Sequence, residues 1–366
     1  MLRFGITGAF GFLGWHVRAR AHCEKDVQVT PIGRPAFKNP SLLANLVSQA
    51  DVVVHLAGLN RGDEKEIERT NVALTDALIS ACEVSDHRPH IIFANSTHVG
   101  RQTAYGQSKR RCADKLRSWA RGANAKFSDV VMPGLFGEKG RPFYNSVVST
   151  FCYQLANSAE PQIVDDQELE LIHAQAAAAR IIEIARSGQE GEIRISGRHV
   201  KVSVLLSSLN EIAEQYKNHV FPSLDDTFDL ALFNTYRSYL FPKHYPVMLT
   251  QRADARGRLF EVVKTVHGGQ CFISTTHPGV TRGNHYHTTK IERFLVMQGT
   301  ARIRVRDLFS PAPVEFLVNG DNPEYIDMPT FHTHEITNIG SGELWTLFWA
   351  HEIFDSDNPD TYSEQV

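Results

Sequence analysis

The stretch LRFGITGAFGFLGWHVRARA, residues 2 to 21, limits the possible folds of this chain more than any other. LRFGIT reads as a buried strand, and Gly8, Gly11 and Gly14 follow at three-residue spacing. Leu13, Val17 and Ala21 then repeat with a helical period. A strand that turns straight into a helix opens a βαβ unit, whose next strand lies parallel to the first. Glycines there allow a tight turn, let the backbone approach a pyrophosphate, and let helix pack on strand. The phosphates then sit at the positive helix N-terminus. The spacing is GxxGxxG rather than GxGxxG, so a glycine-rich turn without a ligand stands as the alternative.

The following segments keep this alternation. Val27 to Ile32 reads as a strand ending at Gly33-Arg34, about where an acidic residue would grip the ribose of NAD. An arginine there suits the 2′-phosphate of NADP, so NADPH is the expected cofactor; otherwise Arg34 is a solvated loop residue. Residues 51 to 58 form another strand ending in HLAG, a helix carries Asn71, and HIIFANS, residues 90 to 96, is a further strand. The pattern predicts a Rossmann-like doubly wound parallel sheet. AQAAAARIIEIARSG, residues 174 to 188, has the period of a packing helix that ends at a glycine cap.

Ser96 falls at the carboxyl end of its strand, where α/β sheets place their ligands. Tyr105 and Lys109, in YGQSK, share one helix face at i,i+4. An ammonium beside a phenol is expected to lower the Tyr105 pKa towards the range of proton transfer. Ser96, or Thr97 in its place, would hydrogen-bond the carbonyl that is reduced or formed.

Near LFPKHYP, residues 240 to 246, two prolines break the pattern, which sets expected domains at 1–243 and 244–366. Beyond it, short runs such as QCFISTT, ERFLVMQG, ARIRVRD and LWTLFWA predict an antiparallel barrel or sandwich. On a strand His285 and His287 face one side, and Glu292 rejoins them only through a turn or bulge at residues 288 to 291. PTFHTHEITN adds His332 and His334. Three imidazoles and a carboxylate suit a divalent ion such as zinc, iron, nickel or manganese. His332 and Glu261, in DARGRLFEVVK, are candidate acid/base groups; a structural carboxylate is the alternative for Glu261.

A net charge of −3 gives no basic footprint for nucleic acid, and KRR at residues 109 to 111 reads as a solvated helix face. No apolar run approaches the length of a membrane span. Five cysteines without CxxC spacing suit reduced thiols, so a cytoplasmic location is expected.

GAFGFLG, HLAG, Asn71, FANST and YGQSK, in this order, resemble the extended short-chain dehydrogenase/reductases, which act mostly on nucleotide sugars with NAD(P). That resemblance implies cofactor contacts at Gly8, Phe10, Gly11, Phe12, Leu13, Gly14, Arg34, Leu56, Ala57, Gly58, Tyr105 and Lys109. It implies a sugar-nucleotide contact at Asn145, for which a helix N-cap is the alternative. PGLFG, residues 133 to 137, departs from the family at Gly134. Gly279 to Gly299 is similar to the first cupin motif, G-x5-H-x-H-x4-E-x6-G, at every position. The second cupin motif keeps Pro329, His334 and Asn338, which implies His334 as fourth metal ligand.

HLAGLNR, FYNSVVSTFCY, GNHYHTTKIERFLVMQG, FWAHEIFD and NPDTY extend the likeness to nearly the whole chain, which resembles the bifunctional capsular polysaccharide enzymes of the CapF type. The resemblance implies a UDP-4-keto-6-deoxy-N-acetylhexosamine substrate, epimerised at C3 by a zinc-binding cupin and reduced at C4 with NADPH. It places the product on the route to UDP-N-acetyl-L-fucosamine. A homodimer is expected, because cupins often pair through their strands. Two other readings stay open: a cupin that only dimerises, beside a plain reductase, and a cupin that runs oxygen chemistry on iron.

Overall fold

The computed structural model describes every residue except Arg256 and His267. The chain forms two compact units, Met1–Thr150 with Val164–Val202, and Phe151–Ile163 with Ser203–Val366.

The first unit is built on a six-stranded parallel sheet. Its spatial order is Val27–Ile32, Leu2–Thr7, Val52–His55, His90–Ser96, Phe127–Met132, Gly191–Arg194. From Leu2–Thr7 the chain steps to one side and then reverses to Val52–His55 on the other. The turns after these two strands therefore flank the topological switch point, where open α/β sheets bind ligands. All four residues of Val52–His55 and all six of Phe127–Met132 are buried, as both faces of a helix-covered parallel sheet require. Alternate residues feed opposite cores. Val52, Val54 and Ile92 pack with Val17 and Ile181, while Val53, Ile91 and Phe93 pack with Leu78 and Leu116. The doubly wound sheet expected from the alternation is the one observed.

The second unit carries two five-stranded antiparallel sheets. One runs Val247–Met248, Glu324–Met328, Glu292–Gln298, Leu344–Ala350, Gln270–Thr276 in space. The other runs Val314–Asn319, Thr300–Asp307, His332–Asn338, Thr281–Tyr286, Tyr362–Ser363. The division differs from the expected 243/244 boundary, which falls inside this unit. The helix Thr227–Leu240 packs on the strands: Arg237 donates to the Met328 carbonyl (2.8 Å) and Asn234 to the Thr289 carbonyl (3.0 Å). Tyr216, on the preceding helix, hydrogen-bonds Asp327, which also takes both ends of the Arg293 guanidinium. The two prolines end the Thr227–Leu240 helix but leave the chain on the same unit, because these buried polar partners lie on both sides of the break.

Candidate active site and candidate metal centre

Two glycines of GAFGFLG are required by contact. Gly8 has φ +67°, and a Cβ there would lie 2.8 Å from the Ala57 nitrogen. A Cβ on Gly14 would lie 2.2 Å from the Gly8 carbonyl oxygen. The first turn thus seats directly on the HLAG strand end, whose Leu56 and Ala57 amides donate to Thr7 Oγ1 (3.1 and 3.2 Å). Gly11 is the N-cap of the helix Phe12–His22 with no side-chain cap, so no side chain of its own competes for the amides of the first turn. Asn71 ties the loop beyond Gly58 by accepting from the Leu59 amide (2.6 Å) and donating to the Leu59 carbonyl and to Ser108 Oγ (2.9 Å each). Arg34 is exposed at the start of the helix Arg34–Phe37. Nearby, the exposed Phe10 ring touches the Gly33 position and carries Arg18, whose guanidinium lies 5.2 Å from the ring centroid. Arg18 was not singled out from sequence; its place nearly two turns into the helix is the only local signal.

At the end of His90–Ser96, the Ser96 hydroxyl stands beside the Tyr105 phenol and accepts from the His98 amide (3.2 Å). Thr97 opens the short helical turn Thr97–Gly100. This turn can cross the YGQSK helix because residue 106 is glycine: a Cβ there would lie 2.4 Å from the His98 carbonyl oxygen. Lys109 is buried, donates to the Ala94 carbonyl (2.6 Å) and lies 4.5 Å from the Phe93 ring centroid and 5.9 Å from that of Tyr105. Burial pushes the Tyr105 phenol up to about 12, against the neighbouring Ser96 hydroxyl, and pushes Lys109 down to about 8. The phenol is therefore raised, not lowered as expected, and stays protonated; the Lys109 ammonium bonds the Ala94 carbonyl and faces the Phe93 ring.

Asn145 is exposed just before the helix Val147–Ala156, and Ser146 Oγ, not Asn145, accepts from the Ser149 amide (3.2 Å). The neighbouring Phe143 and Tyr144 are held by HLAGLNR: Arg61 donates to the Phe143 carbonyl (2.9 Å) and the Tyr144 hydroxyl to Asn60 Oδ1 (2.9 Å). A buried cluster joins three segments of the same unit. Glu138 accepts from His173 (3.1 Å), and its carbonyl lies 2.8 Å from His16 Nε2.

In the second unit, one nitrogen or oxygen from each of His285, His287, Glu292 and His334 lies within 4.8 Å of the others. His285 pairs opposite His334 across one sheet, and a bulge at Asn284, φ +59°, precedes it. Glu292 opens a strand of the other sheet, so residues 288 to 291 carry the chain from one sheet to the other. His287 Nδ1 contacts the Asp360 carbonyl (2.6 Å) and His334 Nδ1 the His332 carbonyl (3.1 Å). With those nitrogens as donors, both Nε2 atoms turn inward to within 3.0 and 3.5 Å of Glu292 Oε2. Both are buried and lack an aligned hydrogen-bond partner, the mark of lone pairs gathered for a cation. Burial opposes charge on Glu292, yet the imidazoles of His287 and His334 beside it hold its carboxyl well below the usual range. Burial and the two neighbouring histidines push His285 down to about 4, leaving it a neutral donor. The residues present fit a divalent metal.

His332 and Glu261 stand outside this group. His332 contacts the Thr330 carbonyl (2.8 Å) and packs on the Phe241 ring. Glu261 is exposed beyond the short hairpin Arg252–Asp254 and Gly257–Leu259, 3.9 Å from Lys264.

Residues 5–197, more than half of the chain, match the NAD dependent epimerase/dehydratase family. The chain belongs to this family. Residues 252–362 match the polysaccharide biosynthesis C-terminal domain. A UDP-2-acetamido-2,6-beta-L-arabino-hexul-4-ose reductase of Pseudomonas aeruginosa is 30% identical over 99% of this chain and 98% of its own length. The crystal structure of the capsular polysaccharide assembling protein CapF from Staphylococcus aureus, 30% identical, covers 100% of both chains with a TM-score of 0.63. The CapF-type resemblance thus extends over the whole length of this family member. A UDP-N-acetylglucosamine 4-epimerase from Methanobrevibacter ruminantium M1, 18% identical, covers 65% of this chain and 98% of its own with a TM-score of 0.57, and shows a shared fold.

Proposed function

We propose that the first unit reduces the C4 ketone of a UDP-linked 4-keto-6-deoxy-N-acetylhexosamine, and that the second unit inverts C3 of the same sugar. The observation that carries the reductase reading is Tyr105 held one helix turn from buried Lys109, whose ammonium donates to the Ala94 carbonyl in the strand that ends at Ser96. NADPH, held by GAFGFLG, HLAG and Arg34, would supply the hydride. Ser96 donates to the ketone oxygen, Tyr105 delivers the proton as that oxygen becomes a hydroxyl, and buried Lys109 anchors the helix on which Tyr105 stands. The Pseudomonas reductase supports this substrate class, and Staphylococcus CapF a place in capsular polysaccharide synthesis.

In the second unit His285, His287, Glu292 and His334 would hold a divalent cation, zinc in the simplest case, which acts as a Lewis acid on a carbonyl. The C4 ketone already acidifies the C3 proton. Of the two acid/base candidates, His332 stands on the strand that carries His334. We read the unit as a cupin that also forms a homodimer, and the whole as a cytoplasmic enzyme; the five cysteines are free thiols and no described helix is long and apolar enough to cross a membrane. One observation favours a second reading, a metal-stabilised module without chemistry: neither His332 nor Glu261 joins the four-ligand group. Deuterium exchange at C3 in D2O with Tyr105→Phe decides between them. Exchange without NADPH oxidation supports the two-site reading; no exchange removes the epimerase.

A further inference from the structure

The metal ligands are not self-supporting: the segment 359–366 fastens them. Asp360 sits in the left-handed region, φ +41°, a conformation that costs a non-glycine residue energy unless its surroundings hold it there. Its carbonyl oxygen meets His287 Nδ1 (2.6 Å), and its carboxylate accepts from three successive backbone amides, Thr288 (3.0 Å), Thr289 (2.8 Å) and Lys290 (2.7 Å). The Thr288 and Thr289 hydroxyls add bonds of 2.6 and 3.0 Å. One residue thereby fixes the tautomer of His287 and the path of the loop that delivers Glu292. Beyond it, Tyr362–Ser363 pairs with His285–Tyr286, and the Glu364 carbonyl accepts from Thr333, which separates His332 from His334.

We propose that Asp360 is a positioning residue for the metal: a strap from the C-terminal segment that sets the direction of His287 and, with it, the affinity of the site. The inference rests on the metal reading above. Its test loads the full chain with zinc or cobalt(II) and compares wild type, Asp360→Ala, Asp360→Asn and His334→Ala. Asparagine tolerates the left-handed backbone and keeps one acceptor oxygen. The expected order of metal retention against a chelator is wild type, then Asn, then Ala, with a loss of roughly 10–100-fold for Ala, the usual effect of removing an outer partner of a ligand. The cobalt d–d spectrum should change shape in Asp360→Ala. Should Asp360→Ala not fold, the Thr288→Val, Thr289→Val double variant, which removes only the two hydroxyl donors, should release metal faster than wild type. If wild type holds no metal, the metal reading fails and the strap with it. If wild type binds, His334→Ala does not, and the Asp360 and threonine variants match wild type in release rate and spectrum, the strap alone is overturned.

Discussion

Arg293 and Asp327 form a two-point ion pair, 2.7 and 2.8 Å, with both side chains fully shielded from solvent. Arg293 also lies 3.5 Å from the Tyr325 ring centroid, and Tyr216 completes the coordination of Asp327. A buried pair of this kind is costly to break, because removing one partner strands the other charge. Arg293→Leu is therefore expected to destabilise the second unit by about 3–5 kcal/mol. Calorimetry of the variant checks it; an unchanged transition would mean that the Arg293–Asp327 pair carries no weight in the stability of this unit.

Tyr105→Phe keeps the ring and removes only the hydroxyl that would give the proton. It should lower the rate of NADPH oxidation with a 4-keto sugar nucleotide by roughly 10²–10⁴-fold, the usual worth of a general acid. Fluorescence titration should show NADPH binding within a few-fold of wild type. A rate equal to wild type would remove Tyr105 from the chemistry.

Gly106→Ala places a Cβ 2.4 Å from the His98 carbonyl oxygen and 2.6 Å from that of Arg101. Backbone on both sides leaves no flexible atom to yield, so the Ser96 turn must lift from the YGQSK helix. A destabilisation of about 1–3 kcal/mol and a rate loss are expected. Melting curves and steady-state rates test both.

Chelation should act on one unit. A structural cation contributes its binding free energy to the fold that holds it. Dialysis against a strong chelator should lower the thermal transition of the second unit and leave that of the first in place. Readdition of zinc should restore it, as read by differential scanning calorimetry.

His16 is buried beside Glu138 and His173, and burial pushes its pKa down to about 4 from 6.5. The folded value lies below the unfolded one, so its stabilisation is complete above pH 6.5 and is lost as pH falls towards 4. The span corresponds to about 3 kcal/mol. His55, pushed to about 3, and His90, pushed to about 4, act with the same sign. Between pH 7 and about pH 5 the melting temperature of wild type should fall more steeply than that of His16→Gln. Parallel slopes would mean that His16 is not neutral in the fold.

What could be read from sequence lies in local repeats. The parallel sheet, the GxxGxxG turn, the i,i+4 spacing of Tyr105 and Lys109, and the alternation of His285 with His287 are properties of neighbouring residues. Their periods of 3.6 and 2 are therefore visible in the string. What the tertiary structure decided depends on burial and on partners far along the chain. Helices 203–240 join the second unit because Tyr216 and Arg237 meet Asp327 and Met328, about ninety or more residues later. The Tyr105 phenol stays protonated because its pocket desolvates it more than Ser96 can offset. Glu292 joins the histidines by crossing to the opposite sheet, whereas Glu261, of the same chemistry, stays in solvent. Asp360 reaches His287 from 73 residues away. No local period records such a meeting, because the free energy that selects it comes from burial of the whole unit.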